Sequence, residues 1–455
     1  MNDPNGPIVR DGLVHLYFQY RDTLDHASPV LWGHVTSTDL VHWDYHRPAL
    51  TPHPLALDRD GCWSGNTIMD DSGRIRAFYS GHVMGQPLQN TLSAVSDDGG
   101  FSFGPPREVV GEPPEAEDIQ VLRDPFVWRE GASWKMVIGA GADPQTAMIR
   151  EYTSKDLDTW VYQGPMARLP RTTTRAWDSG SMWECPQVVL ADTGPIALVG
   201  SWSPQMGIMT VLSLAAPPDG SGPDIDPSAL HLVDHGPNFY APSVLNQRPH
   251  GPILWGWATE GRSAAWCAEE GWSGMLTLPR VVTPRSGGEL ASAPVPEITA
   301  LRTHERGREV NGELTGVGAQ FEFEITCPRQ QGEYSLMIDF GPEEHLAIRV
   351  DASADKMTID RNHASRDDRA DRGQVVIEGI GTLTTTDGAI RGFVDGSILE
   401  VFLPNGKVAT TRFYPTSPPP WRIVNADTPP IAHVLVWGLA DQELPDPWSS
   451  YRATD

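Results

Sequence analysis

Three things are scarce in this chain of 455 residues: cysteine, positive charge and long apolar runs. Cys62, Cys185, Cys267 and Cys327 are scattered, without a C-x-x-C pair or a Cys/His spacing suited to a metal. They offer no disulfide framework, which favours a reducing, cytoplasmic compartment; secretion is the alternative should a leader precede Met1. No stretch approaches the roughly 20 apolar residues of a membrane span. Lys and Arg number 34 against 59 Asp and Glu, a formal net charge of −25. Nucleic acid and anionic membranes are therefore excluded as partners, because both would be repelled. A neutral ligand such as a sugar meets no such barrier. Convincing amphipathic helices are missing as well.

Turn formers and tryptophan are abundant: 44 Gly, 41 Pro and 16 Trp. Together they suit a turn-rich β protein. The length exceeds what one hydrophobic core usually supports, so two domains are expected. Five apolar strand-like runs recur at intervals of 57–62 residues: Val14–Tyr20, Ile75–Gly81, Trp134–Ala140, Ile196–Trp202 and Ile253–Thr259. A turn pair precedes each: Asp11-Gly12, Ser72-Gly73, Glu130-Gly131, Thr193-Gly194 and His250-Gly251. A second marker keeps step, since Ser37–Trp43 (STDLVHW) returns as Ser154–Trp160 (SKDLDTW), with a weaker copy at Ser96–Phe101.

A period near 60 residues with several short strands per repeat is the pattern of a propeller blade. The expected fold is all-β: a five-bladed β-propeller over 1–290, then a C-terminal β-sandwich over 300–455. Between them Ser286–Pro296, rich in Gly, Ser, Ala and Pro, reads as a boundary. Beyond it Phe321, Phe323 and Ile325 alternate onto one face, and a hairpin turns at Gly396.

The residues 10–13 positions upstream of the five runs are Asn2-Asp3-Pro4, Trp63-Ser64-Gly65, Arg123-Asp124-Pro125, Glu184-Cys185-Pro186 and Tyr240-Ala241-Pro242. Matching positions of successive blades face one axis, so Asp3, Asp124 and Glu184 are expected to converge. Three carboxylates without Cys or His fit either a hard-metal site or glycosidic acid/base chemistry. A calcium loop would show further oxygen ligands nearby, and none is evident. Glycoside cleavage needs one carboxylate as nucleophile or base and one carboxylic acid to protonate the leaving oxygen. Neighbouring anions would raise the acid's pKa, and Arg123 would keep Asp124 ionised.

Met1-Asn2-Asp3-Pro4-Asn5-Gly6, Arg123-Asp124-Pro125 and Glu184-Cys185-Pro186 resemble the three signature motifs of glycoside hydrolase family 32, the β-fructosidases. Further matches run through Tyr17–Tyr20, Trp32-Gly33-His34, Trp63-Ser64-Gly65, Phe239-Tyr240-Ala241, Trp255-Gly256-Trp257, Gly271–Gly274, Leu278-Pro279-Arg280 and Leu399–Phe402. The resemblance implies retaining cleavage of terminal β-D-fructofuranosyl units from sucrose, fructo-oligosaccharides or fructans. It implies Asp3 as nucleophile, Glu184 as acid/base and Asp124 as transition-state stabiliser. Asn2, Gln19, Trp32, Trp63, Ser64, Arg123, Tyr240 and Trp257 would bind the substrate. No metal or organic cofactor is implied, and the oligomeric state is left open.

Trp255 reads as core, Cys185 as a small packed residue against the acid, and His34 and His42 as structural. Gln187 and Asn66 depart from residues common in the family and are expected close to the pocket, affecting the leaving-group preference. Family members usually extend ahead of the first motif, so a form starting at Met1 is expected to be less stable than one extended upstream. Competing readings are a fructosyltransferase, an inverting propeller glycosidase, and a carbohydrate-binding protein without catalysis.

Overall fold

The computed structural model describes residues 1–440 apart from 26–27, 87, 112, 114–117, 144, 175, 193, 218–220, 248–250, 309–311, 327–331, 382–387 and 426–432. Cys327, Thr193 and His250 therefore lie outside the described residues. So does the end of the expected sandwich domain from 441 onward.

The 60-residue rhythm folds as five antiparallel sheets, each built from strands consecutive in the sequence. The recurring apolar runs are the second strands, Leu13–Tyr20, Ile75–His82, Ser133–Asp143, Ile196–Ser203 and Ile253–Ala258. They are buried on both faces, which is why they read as continuous rather than alternating. The glycines of the preceding turns all have positive φ, from 58° to 112°, which a side chain would resist. The second marker proves to be a side-chain-capped turn. Ser37 Oγ accepts the Leu40 N–H at 2.7 Å and Asp39 Oδ1 accepts that of His42 at 2.8 Å; Ser154 and Asp156 repeat this at 2.9 and 2.8 Å. These bonds hold Leu40 and Leu157 at φ near 70°, costly for leucine, and Trp43 and Trp160 each close the turn by donating to that leucine's carbonyl.

The fifth sheet, starting at Phe239–Leu245, closes on Leu290–Pro294, inside the stretch that reads as a boundary. One helix, Ala264–Glu270, stands within this sheet's connections, capped by Ser263 and ended by Gly271 at φ 77°. At seven residues it is too short for periodicity to reveal. Among the described residues no helix is long and apolar enough to cross a membrane.

Two six-stranded sheets follow and pack face to face. Phe321, Phe323 and Ile325 all point into their shared core, with Ile338, Ile348 and Val401. A separate apolar cluster joins Leu16 and Phe18 of the first propeller sheet, Trp255 of the fifth, and Phe393 and Phe402 of the sandwich. At this junction the sequence matches 278–280 and 399–402 meet. Glu400 accepts the Leu278 N–H at 2.7 Å and the Arg280 Nε at 3.1 Å, while Arg280 Nη1 donates to Asp234 at 2.7 Å. Arg280 is fully buried.

His34 is structural, as expected. His15 Nδ1 and His34 Nε2 lie 3.0 Å apart in a buried stack that His46 extends. Burial, then the neighbouring imidazoles, lowers His15 from 6.5 to about 4 and His34 further. The unfolded chain thus binds protons more readily than the folded one, so this contribution to stability is present above pH 6.5 and is lost as the pH falls through 4. Between pH 7 and pH 4.5 the denaturant midpoint of the parent should fall relative to that of His15→Gln; a constant difference between the two would contradict this account.

Candidate active site

The inner strands of the five blades are Pro4–Arg10, Gly61–Met69, Val121–Glu130, Met182–Val189 and Phe239–Leu245. Each carries a bulge, between Asn5 and Ile8, Cys62 and Gly65, Arg123 and Phe126, Glu184 and Gln187, and Tyr240 and Ser243. A bulge re-aims the side chains around it. In four blades the residue before the bulge proline has positive φ: Gly6 43°, Asp124 66°, Cys185 44° and Ala241 45°. For the three non-glycine residues this is strained backbone of the kind found at functional sites.

This register corrects one expectation. The counterpart of Asp124-Pro125 in the first blade is Gly6-Pro7, so Asp3 lies three residues ahead of the equivalent position. It reaches the site from the entry of its strand, where its carbonyl accepts the Gln19 N–H at 2.8 Å. Counting back from the second strand cannot distinguish two X-Pro steps that close together.

The three carboxylates nevertheless meet, around Cys185. Its thiol lies 3.7 Å from Asp3 Oδ2 and 3.6 Å from Asp124 Oδ2, and its N–H donates to Asp124 Oδ2 at 3.0 Å. Glu184, the preceding residue, accepts Arg123 Nε at 2.9 Å and Nη2 at 2.5 Å on one oxygen. Its other oxygen accepts the Tyr240 hydroxyl at 2.7 Å. The Arg123 guanidinium therefore pairs with Glu184 and not, as expected, with Asp124; its charge still acts on Asp124 through space.

Asp3 is held by donors from the first and second blades. Ser64 Oγ donates to Oδ2 at 2.6 Å and Gln19 Nε2 at 3.2 Å, while Asn2 donates to Gln19 Oε1 at 3.3 Å. Burial, opposed by the Ser64 bond and reinforced by the Glu184 charge, raises Asp3 to about 6. Burial, opposed by Arg123 and reinforced by Glu184, raises Asp124 to about 7. Near neutral pH the cluster thus resists losing its last proton.

Asn2, Asp3, Gln19, Trp63, Arg123, Asp124, Glu184, Tyr240 and Trp257 line one cavity of about 250 Å³. A larger one, about 480 Å³, lies at the junction with the sandwich, but its walls are mainly hydrocarbon, so chemistry selects the smaller. Ser64 sits just behind Asp3. Trp32 does not reach the cavity: it is fully buried and donates to the Trp63 carbonyl at 3.0 Å. Trp63 forms the wall instead, stacked on His82 at 4.3 Å and under the Arg123 guanidinium. The Trp257 Nε1–H is buried without an acceptor among the described residues.

Arg21, Val30 and Ile208 also line the cavity and went unforeseen, as did Ser80, whose hydroxyl accepts the strained Asp124 N–H at 2.6 Å. Arg21 follows the first blade's second strand and Ile208 lies on the fourth blade's third, where no motif marks them. Gln187 and Asn66 are outside the lining. Gln187 bonds the Val244 backbone and Asn66 that of Val127, each fastening one inner strand to the next. The 57–61-residue separation of these pairs, shared by Asp124–Cys185 and Arg123–Glu184, is the blade period again.

Residues 1–294 match the family model described as Glycosyl hydrolases family 32 N-terminal domain, and residues 296–433 match that of its C-terminal domain. Sucrose-6-phosphate hydrolase of Escherichia coli is 27% identical over 91% of this chain and 87% of its own length. Raffinose invertase of Escherichia coli is 28% identical over the same shares. Among solved structures, a Bombyx mori GH32 β-fructofuranosidase superposes with a TM-score of 0.78 at 23% identity, covering 98% of this chain and 92% of its own.

Proposed function

This chain belongs to glycosyl hydrolase family 32, and from that premise we propose that it is a retaining β-fructofuranosidase working through Asp3, Glu184 and Asp124. The observation that carries the assignment of roles is the convergence of the three carboxylates on Cys185 beside one guanidinium.

Asp3, ionised above pH 6, attacks the anomeric carbon of the terminal fructosyl unit and forms the covalent intermediate. Ser64 and Gln19 hold the attacking carboxylate in a fixed direction. Glu184 delivers the proton to the departing oxygen and then removes one from water, the exchange of roles that a retaining reaction demands. Asp124 and Arg123 bind fructose hydroxyls, and these bonds strengthen as oxocarbenium charge develops. Tyr240 orients Glu184 through its second oxygen, and Trp63 and Trp257 supply flat walls for the sugar. Sucrose, fructo-oligosaccharides and fructans are the substrates, and the relatives named for sucrose 6-phosphate and raffinose add those two as candidates. Those names give hydrolysis, not transfer, as the outcome for the fructosyl unit. A cytoplasmic setting is supported by Cys62, Cys185 and Cys267 being free and buried.

Product release from sucrose, sucrose 6-phosphate, raffinose, 1-kestose, inulin and levan tests the reading. Free fructose is expected from at least one of them. Oligofructosides in place of fructose would mean a transferase, and folded protein inert on all six would overturn the assignment.

A further inference from the structure

Glu260 follows the strand that carries Trp257 and belongs to no part of the reaction described above. Its carboxylate is nonetheless the most heavily bonded on the propeller's face toward the sandwich. Oε1 accepts the Tyr414 hydroxyl, the Gly261 N–H at 3.1 Å and Arg262 Nε at 3.1 Å. Oε2 accepts Arg262 Nη2 at 2.9 Å and the Gly274 N–H at 3.1 Å, and Arg412 Nη2 stands 3.9 Å from Oε1. Tyr414 and Arg412 belong to the sandwich; Gly274 belongs to the propeller turn that follows the helix Ala264–Glu270. Two backbone bonds reinforce the joint, from Asp371 N to the Gly261 carbonyl at 2.7 Å and from Ser263 N to that of Arg369 at 3.2 Å.

Gly274 is where this joint touches the catalytic pocket. Its φ is +68°, and a Cβ there would fall 2.1 Å from the Met1 carbonyl oxygen and 2.8 Å from Trp257 Nε1. The turn thus presses against the residue two before Asp3 and against a wall of the pocket, with no room for a side chain. Arg262 Nη2 also donates to the Trp272 carbonyl at 3.1 Å, fixing the same turn from its other side.

We propose that Glu260 is a positioning residue through which the sandwich, by way of Tyr414 and Arg412, holds the turn at Gly274 against the strand entry that bears Asp3. The second domain is then part of the catalytic apparatus although none of its described residues lines the pocket. A partly buried carboxylate that gathers two backbone N–H groups, a phenol and a guanidinium has one tightly defined position, and so has what it holds. Displacing a reacting group by about 1 Å can cost up to ~10²-fold in rate. The burial that raises Asp3 depends on this packing, so loosening it admits water and moves the acidic limb of the pH profile downward.

Two measurements test the proposal: hydrogen exchange, which is independent of the reaction, and kinetics, which rest on the proposed function. In Tyr414→Phe, amide exchange in peptides covering 1–10 and 271–276 should quicken about fivefold or more, with the inner strands of the third and fourth blades unchanged. On a cleaved fructoside, kcat should fall about tenfold with KM within twofold, and the acidic limb should move to lower pH. Glu260→Gln should do the same, and the double variant should lose no more than the stronger single one, because both break one contact. Unchanged exchange in 1–10, or losses that multiply in the double variant, would overturn the proposal. Should Glu260→Gln not fold, Tyr414→Phe alone decides. A parent inert on every fructoside would sink the proposed reaction and leave the exchange result to judge the positioning.

Discussion

Replacing Asp3 by Asn should lower kcat on the preferred fructoside by about 10⁴-fold, since it removes the carboxylate that Ser64 and Gln19 hold for attack. Glu184→Gln should cost about 10²–10⁴-fold, the range of a single proton transfer, and far less with an activated leaving group that needs no proton. The parent should lose activity as pH falls below about 6, where Asp3 takes up its proton. The same raised value makes a stability prediction of opposite sense. A carboxyl whose folded pKa lies above its unfolded one stabilises the fold when protonated, and that contribution is lost as pH rises through 6. Asp3→Asn, neutral throughout, should therefore melt higher than the parent at pH 7 while being nearly inactive. An Asp3→Asn protein that is both less stable and still active within tenfold would remove Asp3 from the nucleophile's role.

The second large effect lies at the junction of the domains. Arg280→Met should destabilise the protein by about 3–5 kcal/mol, because it strands Asp234 and Glu400 as buried anions without their cation. Asp234 keeps the N–H groups of Gly236 and Thr410 and the Thr410 hydroxyl at 2.7–2.8 Å, and Glu400 keeps the Leu278 N–H at 2.7 Å, but none of these donors carries the positive charge of the guanidinium. Neutralising all three positions together, as Arg280→Met with Asp234→Asn and Glu400→Gln, should recover much of the loss, since the cost is that of unpaired charge and not of lost volume. Chemical unfolding followed by fluorescence measures both. A single variant within about 1 kcal/mol of the parent would show that water reaches the network.

The propeller was legible because its information is local and repeated: a Gly turn and an apolar strand renewed about every 60 residues, with a serine-capped turn keeping step through the first three blades. The carboxylates were legible for the same reason, each lying at a near-constant distance from a landmark. What escaped had no local mark. Trp32 and Trp63 look alike as strand tryptophans, and only the bulge beside Trp63 turns one to the cavity and leaves the other behind it. The pairing of Arg123 with Glu184 in place of Asp124 depends on which way a bulged strand points its side chains. Sequence adjacency argues for the wrong partner. Arg21 follows a strand without a motif of its own, and Glu260 meets Tyr414 across 154 residues of chain, through a contact that no periodicity announces.

Each blade takes its strands consecutively, so no strand ladder bridges the first and fifth sheets, and the ring is joined there by side-chain packing and by the bond from Met1 N to the Ser273 carbonyl at 3.0 Å. Asp3 stands at the entry of the first blade's inner strand, beside this joint, and the cluster of Leu16, Trp255 and Phe402 straddles it. The sandwich thus serves as a clasp on a bracelet. Thermal or chemical opening would start at the clasp, and the first thing to leave its place would be the nucleophile, so that inactivation should precede the loss of most of the β structure.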